Sequence, residues 1–259
     1  MSVAAARPSL TSNDASVLQA LFDAESSPSS GVTINSSLPI WPSRVDISPT
    51  DLESLKARET EIVRKLQANS SPRQEDMETA RQSLDDLLRN YPSYPTAYAN
   101  RAQVLRMLVD LKNDESHSSS SKVPSCTGRF QPEVADLYSR VFADLGQAIK
   151  LATPGSPADS VSPTQSQLLA DTHTHRGYLL LKAARTKRTA NEDPAADIII
   201  PSNLSDLSAD QLEEMASHDF FFGGRFGSKI AQQLSVQTNP YAKMCGAIVK
   251  EAMRKEMNV

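Results

Sequence analysis

The sequence predicts an all-α protein, a short right-handed α-solenoid of about three helical hairpins closed by a C-terminal capping helix. Three observations predict it. Two helical patterns, Pro95 to Leu111 and Pro132 to Leu151, flank a serine-rich break. In the first, Tyr98, Ala102 and Leu105 recur at i, i+4, i+7 with Val104 and Leu108 alongside; in the second, Val141, Leu145, Ala148 and Ile149 share one face. Neither helix can bury its stripe alone, and a small residue in each allows close antiparallel approach, so further pairs should stack on either side. The one β-like run, Ile198-Ile199-Ile200-Pro201, has no partner strand. Packing of that run over a helix groove is therefore expected.

In chain order, residues 1–49 read as a largely disordered N-terminal region. Within it Asn13 caps a short helix over 14–23, with Val17, Leu18, Leu21 and Phe22 on one side. A helix this short is marginal alone, so docking onto its own domain or onto a partner is expected. Ser26 to Pro49, with its prolines and Trp41, reads as irregular linker. The helical domain is placed at 50–257. Thr50 and Glu53 form a capping-box pattern opening a helix to about Gln67. A second helix starts near Arg73, carries Met77, Ala80, Leu84, Leu87 and Leu88, and stops before Tyr91-Pro92.

The central pair follows. Ser162-Pro163 is a cap and first-turn signal for a helix carrying Leu168, Leu169, Thr172, Arg176, Gly177, Leu180 and Leu181. Ser208 with Gln211 is a second capping box, for a helix through Ala216 and Phe220 that Gly223-Gly224 ends or bends. Helical patterning resumes from Ser228 to Leu234. Asn239-Pro240 caps an amphipathic final helix with Tyr241, Met244, Cys245, Ile248, Val249, Ala252 and Met253 on one face. Three inserts interrupt the domain, at 112–131, 153–162 and 186–207.

Composition bounds the function. Of 259 residues 39% are hydrophobic and 5% aromatic, enough for one core but not for the whole chain. A net charge of −4 argues for neither nucleic acid nor anionic membrane as partner. No run of about 18 apolar residues is present to cross a bilayer. Met1 to Leu10 lacks the apolar stretch of a secretory signal, and two cysteines, Cys126 and Cys245, fit a reducing compartment. A cytoplasmic protein is expected.

Ala80, Leu84, Leu87 and Pro92 follow the small–large–small–proline spacing of the second helix of a tetratricopeptide repeat, with leucine replacing the usual last alanine. Leu145, Ala148, Ile149 and Leu151 resemble the same helix, and Arg176-Gly177 with Leu180 the first. The stretches Asn13-Asp14…Phe22, Ala97-Tyr98…Asn100-Arg101-Ala102, Asp144-Leu145…Ala148-Ile149, Arg176-Gly177, Asp219-Phe220…Arg225-Phe226-Gly227-Ser228 and Asn239-Pro240-Tyr241-Ala242…Cys245 resemble the tetratricopeptide repeat protein 36 family. That resemblance implies a protein-binding scaffold, with Hsp70-type chaperones and an enzyme of tyrosine catabolism as implied partners. The spacing departs from an ordinary repeat of about 34 residues, since Leu145 and Phe220 lie much further apart. The inserts at 112–131 and 186–207 fall between the two helices of a pair and should leave from one rim. Ile62 replaces the usual small residue of the first pair, so its two helices should splay.

Catalytic signals are weak. His173 and His175, two apart on a helix, point to different faces and make a poor metal pair. The run Gly223 to Lys229 lacks the glycine–lysine–Ser/Thr order of a phosphate loop and follows a helix. No Ser/His/Asp set or paired-carboxylate spacing appears. A non-enzyme without cofactor or metal is expected, binding an extended peptide or partner helix along the first helices of its pairs. Candidate groove residues are Asn100, Gln103, Arg64 and His175. Chaperone-binding tetratricopeptide domains clamp carboxylates with cations and asparagines on first helices. Here Asn100 falls on the second-repeat asparagine position, but Glu59 and Asp171 fall on cationic positions and Val63 on the other asparagine position. Such a clamp would repel a carboxylate.

Overall fold

A computed structural model describes residues 31–68, 72–118, 132–192 and 200–239, together with residue 254. Within them lie helices α1 (Pro49–Gln67), α2 (Gln74–Asn90), α3 (Pro95–Ser118), α4 (Pro132–Ala152), α5 (Pro163–Glu192), α6 (Ala209–Arg225) and α7 (Lys229–Thr238), with a 3-10 turn at Ser202–Leu204. The expected all-α class is observed: the described residues contain no strand, only an isolated parallel bridge between Ile34 and Val161. Each helix packs on its neighbours in the chain, most broadly α5 on α6, while α3 also meets α5 and α5 meets α7.

Local chemistry sets the helix starts. Ser48, not Thr50, caps α1: its backbone is extended and its hydroxyl accepts the Asp51 N–H at 3.1 Å. Pro49 then occupies the first turn, where a missing N–H costs nothing. Asp76 accepts the Arg73 N–H at 3.2 Å at the start of α2. Ser162 accepts the Gln165 N–H at 3.1 Å ahead of Pro163, and Ser208 and Gln211 close the expected reciprocal box. Ser228 caps α7 through the Ala231 N–H.

Two helices outrun their expected ends. α3 continues past Leu111 to Ser118, and α5 runs through the first seven residues of the 186–207 insert to Glu192. Tertiary partners hold the extra turns of α5. Lys187 donates to the carbonyls of Ser205 and Leu207, and Arg188 pairs with Asp210 and Glu213. Ile200 packs on the main core and Pro201 is buried, in line with an irregular segment laid over helices. Ile198 and Ile199 lie outside the described residues, as do the short helix expected at 14–23 and the capping-helix residues Tyr241, Cys245 and Ile248.

The reading of 1–49 as tail and linker is corrected for its last third. Residues 31–48 are irregular, yet they form a strap bonded along the body. Asn35 N–H reaches the Val161 carbonyl at 2.8 Å, Val161 N–H the Thr33 carbonyl at 3.0 Å, and Val32 N–H the Arg225 carbonyl at 3.2 Å. Trp41 and Val45 are buried against Ala152, Val161, Leu169, Ala170 and Phe226. The boundary at 49 thus cuts through a core cluster. Sequence periodicity missed it because an irregular strap buries side chains at no fixed interval.

Two larger cores stack beside this one. Leu55, Leu66, Leu84, Leu87, Tyr94 and Val104 fill the space between α1, α2 and α3. Leu105, Val141, Leu145, Leu180, Leu212 and Phe220 fill that between α3 and α6. The approach of α5 to α6 is set by Gly177: a Cβ there would stand 2.9 Å from the Phe220 ring and 3.2 Å from the Ala216 carbonyl oxygen. α6 ends at Arg225, directly after Gly223-Gly224, whose carbonyls accept the N–H groups of Ser228 and Gly227 as the chain turns. The same two glycines allow Thr174, Ala231 and Gln232 to come close, and Gly227 at φ 109° completes the turn into α7.

Candidate functional site

The candidate site lies along α1, α3 and α5, the helices expected to line a groove. α3 and α5 run side by side. Thr96 shares a groove of about 470 Å³ with Pro163, Thr164, Gln167, Leu168 and Asp171. Further along, Asp110 stands 3.8 Å from Lys182. The C-terminal ends of both helices therefore lie toward one rim.

The four expected groove residues do not form one set. Asn100 is tied inward, its Nδ2 donating to Glu59 Oε1 at 2.5 Å. Glu59 also accepts the Tyr94 hydroxyl at 2.8 Å. Burial pushes the Glu59 carboxyl above its ordinary range, despite the hydrogen bonds from Tyr94 and Asn100. Asn100 is therefore a partner of Glu59 rather than a free recognition group, because that buried carboxylate needs its donor. Gln103 is exposed on α3. Arg64 is 73% exposed and bonded at 2.5 Å to Glu61 of its own helix, apart from the α3–α5 groove. His175 is half-buried with Nε2 shielded, and burial, with the nearby Arg106 charge, lowers its pKa to about 4. It is neutral at pH 7.

The expected structural positions pack as follows. Ala80, Leu84, Ala102, Leu145, Ala148, Gly177 and Phe220 are buried. Pro92 is exposed, and its carbonyl accepts the Tyr98 hydroxyl at 3.0 Å. Ile62 stands in a second groove of about 540 Å³ between α1 and α2.

Sequence reading missed the strongest polar feature. Arg101 binds Asp144 bidentately at 2.8 and 2.6 Å, and Arg176 binds Asp219 bidentately at 2.7 and 2.7 Å. The separation is 43 residues in both. Each arginine precedes a small residue, Ala102 or Gly177, and each aspartate a large one, Leu145 or Phe220. A search for the paired Arg-small and Asp-large words at equal spacing would have found it. Asp219 additionally meets His173 Nδ1 at 2.8 Å, and His173 stacks on Phe222 and Phe226. Burial alone would raise Asp219, but hydrogen bonds from His173 and Arg176 and the charge of Arg176 hold it below the usual carboxylate range. Arg101 extends the first fastening to Asp85 at 2.7 Å, and Asp85 to Arg81 at 2.5 Å.

No group of three potential ligands able to hold a metal occurs among the described residues. No described helix is long and apolar enough to cross a membrane. The Gly223 to Lys229 run forms the end of α6 and its turn into α7. Cys126 and Cys245 lie outside the described residues.

No family model and no solved structure matches the chain. It is 56% identical over 251 residues, covering 97% of its own length and 94% of the relative's, to the L-tyrosine degradation gene cluster protein hmgX of Aspergillus fumigatus. At that identity, over nearly the whole of both chains, this protein belongs to the same family as hmgX.

Proposed function

We propose that this protein is a non-catalytic scaffold of tetratricopeptide-like helical pairs, similar to the tetratricopeptide repeat protein 36 family, that binds and stabilises an enzyme of L-tyrosine degradation in the cytoplasm. The observation that carries this is the likeness, along almost the full chain, to a protein named for an L-tyrosine degradation gene cluster. The architecture draws support from the repeated Arg–Asp fastening, which joins α3 to α4 and α5 to α6 in the same register. A solenoid of pairs offers a long face made by the first helix of each, suited to an extended or helical protein segment. The test is to mix the full chain with each purified L-tyrosine-degrading enzyme of the same organism. Co-elution with one of them and a longer half-life of its activity on heating are expected. Unchanged half-lives and no co-elution for the whole set would remove this reading.

A chaperone partner is the second reading. Dicarboxylate recognition by a first-helix clamp runs against the geometry: Glu59 and Asp171 bring negative charge, and Asn100 is already bonded to Glu59. Charge-assisted bonds from cations would be needed. A free Glu-Glu-Val-Asp peptide should therefore bind more weakly than about 1 mM in isothermal titration. Micromolar affinity lost on Asn100→Ala would reverse that expectation.

A further inference from the structure

The groove between α3 and α5 has a chemistry that restricts its occupant, an inference that rests on the scaffold reading above. Pro163 and Leu168 supply apolar wall, and Thr96, Thr164 and Gln167 supply polar edge. Asp171 is exposed at the groove, where among the described residues its carboxylate accepts a neutral amide, Gln167 Nε2 at 2.8 Å. Glu59 stands behind Thr96, hydrogen-bonded to Tyr94 and Asn100, both of them neutral. Burial raises its pKa, and Lys56 is the charged group that works against that rise.

We propose that this groove takes an extended segment of a partner protein that presents a lysine or arginine side chain. The aliphatic stem lies along Pro163 and Leu168, and the cation meets Asp171 on the side toward Glu59. A long cationic side chain suits such a place because its stem is apolar while its head is charged. An anion is the competing occupant, since the first turns of α3 and α5 both border the groove and helix N-termini attract negative charge. The end of α5 already has acceptors from this chain: Ser162 Oγ accepts the Gln165 N–H at 3.1 Å and Gln165 Oε1 the Ser162 N–H at 3.3 Å. Near the start of α3 stands the Glu59 carboxylate, which accepts the Tyr94 hydroxyl and the Asn100 amide. An incoming carboxylate would add a third negative group beside two.

The probes are two capped pentapeptides, Ala-Arg-Leu-Arg-Ala and Ala-Glu-Leu-Glu-Ala, titrated into the full nitrogen-15-labelled chain and read by NMR. The arginine peptide should shift the amides of Thr96, Gln167 and Leu168 with an affinity of about 1 mM, and the glutamate peptide should not. Asp171→Asn should weaken the arginine peptide by about threefold or more, and Asp171→Glu should restore it. Equal shifts from both peptides, no shift in the groove, or an unchanged response in Asp171→Asn would each overturn the proposal. The same variant separates it from the scaffold reading. If Asp171→Asn still holds an L-tyrosine-degrading enzyme as well as the native chain does, the groove assignment falls and the scaffold stands. If no enzyme is held while the arginine peptide binds in an Asp171-dependent way, the scaffold reading falls and the groove chemistry stands.

Discussion

Asp219 has more at stake than any other single carboxylate in the described residues. It is almost fully buried, shared by Arg176 and His173, and Arg176 has no other charged partner among them. Removing one member of a buried pair strands the other, which costs about 3–5 kcal/mol. Asp219→Asn should therefore lower the urea midpoint by an amount corresponding to about 3 kcal/mol. Asp144→Asn should cost less, since Arg101 retains Asp85. Equal losses would show that the second carboxylate gives no shelter. His175 provides a pH handle. Its folded pKa of about 4 lies below its ordinary 6.5, so the unfolded chain binds the proton more readily. Its contribution is complete above about pH 6.5 and declines as pH falls toward 4. His175→Gln should flatten stability between those values by about 2 kcal/mol in a denaturation series against pH.

At the scale of the helices, closeness is governed by which glycine has a neighbour. Gly177 sits 2.9 Å, measured from an added Cβ, from the Phe220 ring, whereas the same construction at Gly146 meets only the end of the Arg176 side chain at 3.9 Å. Alanine favours a helix over glycine by about 1 kcal/mol at either position. Overpacking against a buried ring costs about 1–3 kcal/mol. Gly146→Ala should thus raise the melting temperature, and Gly177→Ala should lower it. A rise in both would mean that α5 and α6 can part without loss. The extended ends of α3 and α5 carry the same lesson. The stretches from Lys112 to Ser118 and from Thr186 to Glu192 mix good helix formers, such as Lys112, Lys187, Arg188 and Ala190, with weak ones, such as Asn113, Asp114, Thr186 and Thr189, and the second is held by contacts with Ser205, Leu207, Asp210 and Glu213.

For the whole molecule, the strap over 31–48 joins parts that are distant in sequence. Arg44 donates to the Lys150 carbonyl at 2.9 Å and Ser162 Oγ to the Ile40 carbonyl at 2.7 Å. Trp41, the sole tryptophan and 8% exposed, sits at the junction of strap, α4 and α5. Its emission should be that of a shielded indole and should shift in the same urea transition as far-UV circular dichroism. Trp41→Ala should cost about 3 kcal/mol, as loss of a large buried aromatic does. An exposed-type emission spectrum with no transition would return the strap to the status of a tail.

By itself the sequence determined where α5, α6 and α7 begin and which faces α2 and α4 bury. Ser162-Pro163, Ser208…Gln211 and Ser228 are local signals, because capping involves only residues within one turn. The stripes of α2 and α4 were equally legible, since a helix repeats its buried face every three or four residues. Only the tertiary structure decided the rest. It drew Asn100 inward onto Glu59, 41 residues away, and separated Arg64 from the groove it was expected to line. It also wrapped an aperiodic strap over α4 and α5 and carried α3 and α5 past their expected ends. Each of these depends on groups that meet only after the helices have packed, and no local period or cap encodes such a meeting.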